Sequence, residues 1–213
     1  MSPLGIMGGT FDPVHFGHLR LAIEALESLG LDSVRWVPSG YPGHRDTPTT
    51  IPMHRVEMVR LAIANEPRFT LDAAETRTIE PTFTINMLKR LRAELGPERP
   101  LVMIIGMDSF LSLPTWRSWT ELFELAHFAV GERPGFELSS QTMVSGLALE
   151  FARRSASADA VRGAAGGAIV TFPMTLLDIS ATALRERFAR GASARYLLPE
   201  SVMAYIGAHR LYR

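Results

Sequence analysis

Residues 8 to 18 read Gly8-Gly9-Thr10-Phe11-Asp12-Pro13-Val14-His15-Phe16-Gly17-His18, directly behind the short apolar run Leu4 to Met7. A strand that ends in glycines and feeds a helix leaves backbone N–H groups uncovered where the helix dipole already favours an anion, so the stretch reads as a phosphate site. Asp12 followed by Pro13 suits the start of that helix, because Asp accepts from orphan N–H groups and Pro has none to satisfy. His15 and His18 are three apart and on a helix share one face, which aims two imidazole donors at one spot. Gly17 between them allows a ligand to approach the backbone closely. A metal site and a pair of ordinary helix-rim histidines are the competing readings, and two ligands three apart without a nearby third argue against metal.

The same stretch excludes two common nucleotide sites. Gly8-Gly9 lacks the spaced third glycine of a dinucleotide fingerprint, and no Gly-Lys-Ser/Thr follows as in a P-loop.

The elements that must carry these residues follow from periodicity. Leu19, Ala22, Ile23, Leu26 and Leu29 predict a helix over Phe16 to Leu29, stopped by Gly30. Ser33 to Val37 is a short strand, and 39 to 48, rich in turn residues, is a long loop behind it. Helices are expected from Pro52 to about Asn65 and from Thr82 to Leu95, with a strand at Phe69 to Leu71 between them. Leu101 to Ile105, continuous and apolar, has the character of a central parallel strand running into Gly106-Met107-Asp108-Ser109. Trp116 to Leu125 reads as a helix, Phe128 to Val130 and Ile169 to Phe172 as strands, and Ser180 as the N-cap of a helix over Ala181 to Ala189. A last helix covers about Pro199 to Ala208. Residues 136 to 167, dominated by Ala, Ser, Gly and Arg, are the least informative.

Alternating strands and helices predict an α/β, Rossmann-like doubly wound parallel sheet with helices on both faces. One domain over 1–213 is expected, with a small helical C-terminal part from about 179. Ligands of such sheets bind at the carboxyl ends of the strands, which brings the glycine stretch, the loop around His44, Gly106 to Asp108 and the Ser180 helix start to one edge.

Composition bounds the rest. The 22 basic and 22 acidic residues cancel, so the chain lacks the global field typical of nucleic-acid binders and must meet anions locally. No run approaches the roughly 18 apolar residues of a membrane span. The first residues lack the basic and apolar segments of a secretory signal, so a cytoplasmic location is the default expectation. There is no cysteine, which removes disulfides and thiolate chemistry.

The residues resemble a known family. Gly9-Thr10-Phe11-Asp12-Pro13 with His15, Gly17 and His18 resembles the first signature of the nucleotidyltransferase superfamily that shares its core with class I aminoacyl-tRNA synthetases. Ile179-Ser180-Ala181-Thr182 with Arg185, about 160 residues later, resembles the second. Between them, Pro42, His44 and Arg45, Phe83-Thr84, Gly106 with Asp108 and Ser109, Pro114-Thr115-Trp116 and Arg133-Pro134 are similar to the bacterial nicotinate mononucleotide adenylyltransferases. The resemblance runs from Gly8 to Leu211-Tyr212-Arg213 and omits only 136 to 167.

It implies transfer of AMP from ATP to nicotinate mononucleotide in NAD biosynthesis. His15, His18 and Arg185 would act on the reacting phosphates. Gly8, Gly9, Thr10, Phe11, Gly17, Gly106, Asp108, Ile179, Ser180 and Thr182 would join them in holding ATP. Thr10, His44, Arg45, Thr84, Trp116 and Arg133 would hold the mononucleotide, with Trp116 stacked on the pyridine ring and Thr84 near its carboxylate. Other readings stay open: Asp108 as a turn residue, Arg133 as a surface residue, Trp116 as a core aromatic. Gly43 stands where the family often has proline, which loosens the His44 loop. Mg²⁺ is expected on the ATP phosphates rather than in a protein cage, and a homo-oligomer is compatible with the sequence. Rival functions are the same chemistry on nicotinamide mononucleotide or phosphopantetheine, and a non-catalytic nucleotide sensor.

Overall fold

The computed structural model describes residues 2–42, 48–132 and 143–213. In chain order the elements are β1 (Leu4–Gly9), α1 (Phe16–Ser28), β2 (Ser33–Pro38), β3 (Tyr41–Pro42), α2 (Pro52–Ile63), β4 (Phe69–Leu71), β5 (Pro81–Thr82) and α3 (Thr84–Leu95). The second half adds β6 (Leu101–Gly106), α4 (Met107–Leu111), α5 (Leu122–Leu125), β7 (His127–Glu132), α6 (Ser145–Arg154), α7 (Ala160–Gly163), β8 (Ile169–Pro173), α8 (Ala181–Ala189) and α9 (Glu200–Ala208).

Six strands form one parallel sheet in the order β4-β2-β1-β6-β7-β8. The chain builds outward from β1 to β4, then returns to the other side of β1 and builds outward again from β6. The crevice of such a sheet opens at the reversal between β1 and β6. Gly8 and Gly9 end β1 there, and Gly106 ends β6 beside them.

Both faces of the sheet are buried, and the alternation along each strand decides which residue meets which helical layer. Leu4, Ile6, Leu101, Met103, Ile105, Phe128 and Val130 face one side, against Leu88 and Leu91 of α3, Phe110 of α4 and Phe123 of α5. Met7, Val102, Ile104 and Ala129 face the other, against α1, α2, α8 and α9. Helices on both faces of a parallel sheet are what the sequence pattern predicts.

Local corrections concern ends and turns. The helix expected from Thr82 starts at Thr84, because Pro81–Thr82 pairs with Tyr41–Pro42 as a two-residue ribbon. The loop expected over 39 to 48 therefore carries a strand. Trp116 to Leu125 is not one helix: Trp116 is extended, Ser118 takes a left-handed conformation, and only Leu122–Leu125 is α-helical after a 3-10 turn. In the uninformative stretch, α6 presents Leu147 to the core and Ser155 bridges to Ile169.

Candidate active site

The carboxyl edge of the sheet opens into a cleft of about 470 Å³ between β1, β6, the start of α3 and the start of α8. At its floor Gly9 gives way to Thr10 and Phe11. Phe11 sits at φ 52°, and its ring covers Gly9 so closely that a Cβ there would lie 2.9 Å from Cζ. A side chain at position 9 would displace the ring, so glycine is required for the turn that bares the loop.

The helix behind this loop begins later than the Asp12-Pro13 pair suggests. Residues 12 to 15 form a turn with a cis Asp12–Pro13 bond, and His15 is the extended N-cap of α1. The two histidines thus do not share a helical face. His15 lies at the cap, and its N–H donates to Nδ1 of His18 in the first turn at 3.3 Å. That bond leaves the His18 proton on Nε2. His18 lines the cleft, whereas His15, 6 % exposed, lies behind it with its Nδ1 unpartnered. Burial pulls the His15 pKa down to about 4, which keeps its ring neutral at pH 7.

Gly17 also makes room for the His15 ring. A Cβ there would press on the His15 ring at 3.0 Å, and it would meet the Ile179 carbonyl of the second signature segment at an ordinary contact distance of 3.7 Å. The second segment is held from α1 as well. Glu24, 8 % exposed, accepts from the N–H and hydroxyl of Thr175, at 2.8 and 2.7 Å, in the loop leading to α8. Burial works against ionisation of Glu24, but the hydrogen bonds from Thr175 and Arg20 outweigh it and hold the carboxyl below the usual range.

Ser180 caps α8, accepting from the Ala183 N–H at 3.1 Å. One turn on, Arg185 reaches into the cleft and donates to the Asp12 carbonyl at 2.8 Å and to Thr182 Oγ1 at 3.2 Å. Its guanidinium and the first-turn N–H groups of α8 thus lie beside the phosphate loop.

On the β6 and α3 side the wall is built by Gly106, Phe83, Thr84 and Trp116. Arg117 lies over the ring of Phe83, 4.9 Å from its centroid. Asp108 is exposed in the first turn of α4, one residue beyond the lining. Gly17, Ile179 and Ser180 likewise stand beside rather than on the cleft wall. His44, Arg45 and Arg133 lie outside the described residues.

Two buried side chains anchor the phosphate loop: Arg55, which spacing alone does not single out, and Asp12 within the loop itself. Arg55 of α2, fully buried, donates to the carbonyls of Thr10 at 2.8 Å, Ser39 at 2.6 Å, Gly40 at 2.5 Å and Thr50 at 3.3 Å. Its signal in the sequence is a charged residue on the apolar face of a helix, four before Val59. Asp12, 4 % exposed, accepts from the Thr49 N–H at 2.7 Å, the Thr50 hydroxyl and the Tyr212 phenol. Its part in the site is structural.

The arrangement offers donors of both kinds, neutral and cationic, along one cleft. No cluster of three His, Cys, Asp or Glu side chains able to hold a metal occurs among the described residues.

Comparison with known proteins places the chain in a family. A family model described as cytidylyltransferase-like matches residues 6–187. A protein of Dechloromonas aromatica (strain RCB) named "Probable nicotinate-nucleotide adenylyltransferase" is 52 % identical over 212 residues, covering 99 % of this chain and 98 % of its own. One of the same name from Cellvibrio japonicus (strain Ueda107) is 44 % identical over 210 residues, covering 99 % and 98 %. Among solved structures, Plasmodium falciparum nicotinic acid mononucleotide adenylyltransferase complexed with NaAD superposes with a TM-score of 0.72 over 100 % of this chain and 98 % of that one, at 18 % identity. The chain belongs to the cytidylyltransferase-like family, among the nicotinate-nucleotide adenylyltransferases.

Proposed function

We propose that the protein transfers AMP from ATP to the phosphate of nicotinate mononucleotide, giving nicotinate adenine dinucleotide and pyrophosphate. The observation that supports this reading is the single cleft that the phosphate loop, His18 and Arg185 line together with Thr84 and Trp116. The names of the relatives and of the structural neighbour accord with it.

A phosphate oxygen of the mononucleotide attacks the α-phosphorus of ATP as the bond to the bridging oxygen breaks, and pyrophosphate leaves with that electron pair. The nucleophile is already an anion, so no strong base is needed. Catalysis consists of aligning two polyanions and neutralising the charge that builds on the α-phosphate and leaving group. His18 Nε2–H and the loop amides at Gly9 and Thr10 meet the α-phosphate. Arg185 and the α8 amides meet the β- and γ-phosphates, with Ser180 and Thr182 beside them. His15 supports His18 from behind. Trp116 stacks on the pyridine ring, and Thr84 at the head of α3 lies near its carboxylate. Gly106 and Asp108 serve the adenosine ribose, and His44, Arg45 and Arg133 complete the phosphate contacts. The donor set of histidine, arginine, hydroxyls and amides suits phosphates rather than a cation. Mg²⁺ would be bound mainly through the ATP phosphates rather than by these side chains, and would supply further charge neutralisation. The chain works as one domain, in the cytoplasm.

Pyrophosphate release from ATP, measured with nicotinate mononucleotide, nicotinamide mononucleotide and phosphopantetheine in turn, tests reaction and acceptor together. The nicotinate compound is expected to turn over fastest. A clear preference for the amide would move the acceptor assignment, and release with none of the three would remove the activity.

A further inference from the structure

Three segments of the cleft meet at Asp12. Its main-chain carbonyl receives Arg185 at 2.8 Å, and its Oδ2 receives the Thr49 N–H of the lip before α2 at 2.7 Å. Its Oδ1 receives the Thr50 hydroxyl and the phenol of Tyr212, the latter at 2.6 Å from 200 residues away. Tyr212 is 8 % exposed and holds φ 63°, a left-handed backbone unusual for a tyrosine. Such a conformation persists only where the surroundings over-determine it. Here the ring stacks on Phe188 of α8, centroids 5.9 Å apart, so the residue binds both the helix that carries Arg185 and the loop that Arg185 touches. Phenylalanine would supply the same packing; the hydroxyl is what reaches Asp12. Burial and the bond to Asp12 push the phenol pKa up, so it remains a donor throughout the working pH range.

We infer that Tyr212 is a positioning residue for AMP transfer: its hydroxyl seats the Asp12 carboxyl, and through Asp12 it sets the phosphate loop and Arg185 in the geometry the transferring phosphate requires. The inference rests on the proposed AMP transfer. Tyr212 is not among the cleft-lining residues and touches no substrate. A loop that is less well seated still binds ATP, but a displacement of about 1 Å at the reacting phosphate costs on the order of a hundredfold in rate.

The test compares Tyr212→Phe with Phe188→Leu, which loosens the same packing and keeps the hydroxyl. Tyr212→Phe is expected to fold, to lower kcat tenfold or more and to leave the KM for ATP within threefold; Phe188→Leu is expected to hold kcat within threefold at a similar loss in Tm. In an Asp12→Ala background, adding Tyr212→Phe should change kcat by less than twofold, since the acceptor of the phenol is gone. A Tyr212→Phe enzyme at wild-type kcat, an equal kcat loss from Phe188→Leu, a change confined to KM, or a Tyr212→Phe chain that does not fold each overturns the inference. The wild-type chain assayed alongside separates the two claims. Absence of AMP transfer there overturns both, whereas an active wild type beside an unimpaired Tyr212→Phe overturns this one alone.

Discussion

The imidazole of His15 stacks on that of His18, ring centroids 3.7 Å apart and planes inclined by 31°, while the His15 N–H donates to His18 Nδ1. The stack fixes the ring of His18, and the hydrogen bond fixes its tautomer, so Nε2–H is held toward the cleft without reorganisation during the reaction. Phe11 closes the other side edge-on, with centroids 5.2 Å apart. A preorganised donor of this kind is worth about 3 kcal/mol in the transition state and little in the ground state. His18→Ala should lower kcat about a hundredfold while ATP affinity, measured by calorimetry, stays within threefold. Loss of ATP binding with kcat per bound ATP unchanged would assign His18 to ground-state binding instead.

Burial of His15 carries a pH signature. Its folded pKa of about 4 lies below the ordinary histidine value of 6.5, so between these values the unfolded chain binds more protons and stability rises with pH. The contribution is fully present above pH 6.5, declines as pH falls toward 4 and then levels off. The interval corresponds to roughly 3 kcal/mol. His127, held between the Ala164 carbonyl and the Ala168 N–H, has its pKa lowered by burial and adds a slope of the same sign. Urea unfolding at pH 7.5 and pH 5 should show the loss in the wild type and a clearly smaller one in His15→Gln. An identical pH dependence in the two proteins would mean that His15 is not the group responsible.

How much of this was readable beforehand depended on range. β1, β6 and α8 were legible because two-faced burial and a Ser cap leave strong local marks over Leu4 to Gly9, Leu101 to Gly106 and Ser180 to Ala189. The His15 position was not, since a spacing of three is equally satisfied by a helical face and by a cap with its first turn. The ribbon between Tyr41–Pro42 and Pro81–Thr82 joins residues about 40 apart and has no periodicity to detect. Trp116 to Leu125 has helical spacing, but the left-handed Ser118 breaks it. Of the site, the glycine loop and Arg185 could be named from motifs. The supports beneath them, Arg55 and Tyr212, act through carbonyls and a carboxyl distant in sequence, where spacing carries no information.

Arg55 is the largest of these supports. With no exposure, it satisfies four carbonyls from the loops after β1 and β2 and before α2. Burial pulls its pKa down, while Asp12 and nearby tyrosines oppose that. Replacing it with methionine keeps the volume and orphans the carbonyls, each of which then carries a desolvation cost of about 1–3 kcal/mol where water cannot enter. Arg55→Met is expected to lose about 3–5 kcal/mol in chemical denaturation. A loss under about 1 kcal/mol would show that water or the loops themselves satisfy those oxygens.

Arg185 carries the remaining contrast, between charge and shape. Its two terminal nitrogens have separate partners, the Asp12 carbonyl and Thr182 Oγ1, which tie the guanidinium to the phosphate loop and to the first turn of α8. A lysine there preserves the positive charge but supplies a point rather than a fork, and cannot hold Asp12 and a phosphate oxygen with fixed geometry. Arg185→Lys should therefore retain much of the ATP affinity and lose kcat by about tenfold or more, and Arg185→Ala should lose on the order of a hundredfold or more with weaker ATP binding as well. Kinetics with saturating nicotinate mononucleotide and varied ATP separate the two parameters. If lysine restores full kcat, charge alone suffices at this position and the bidentate role assigned to Arg185 falls.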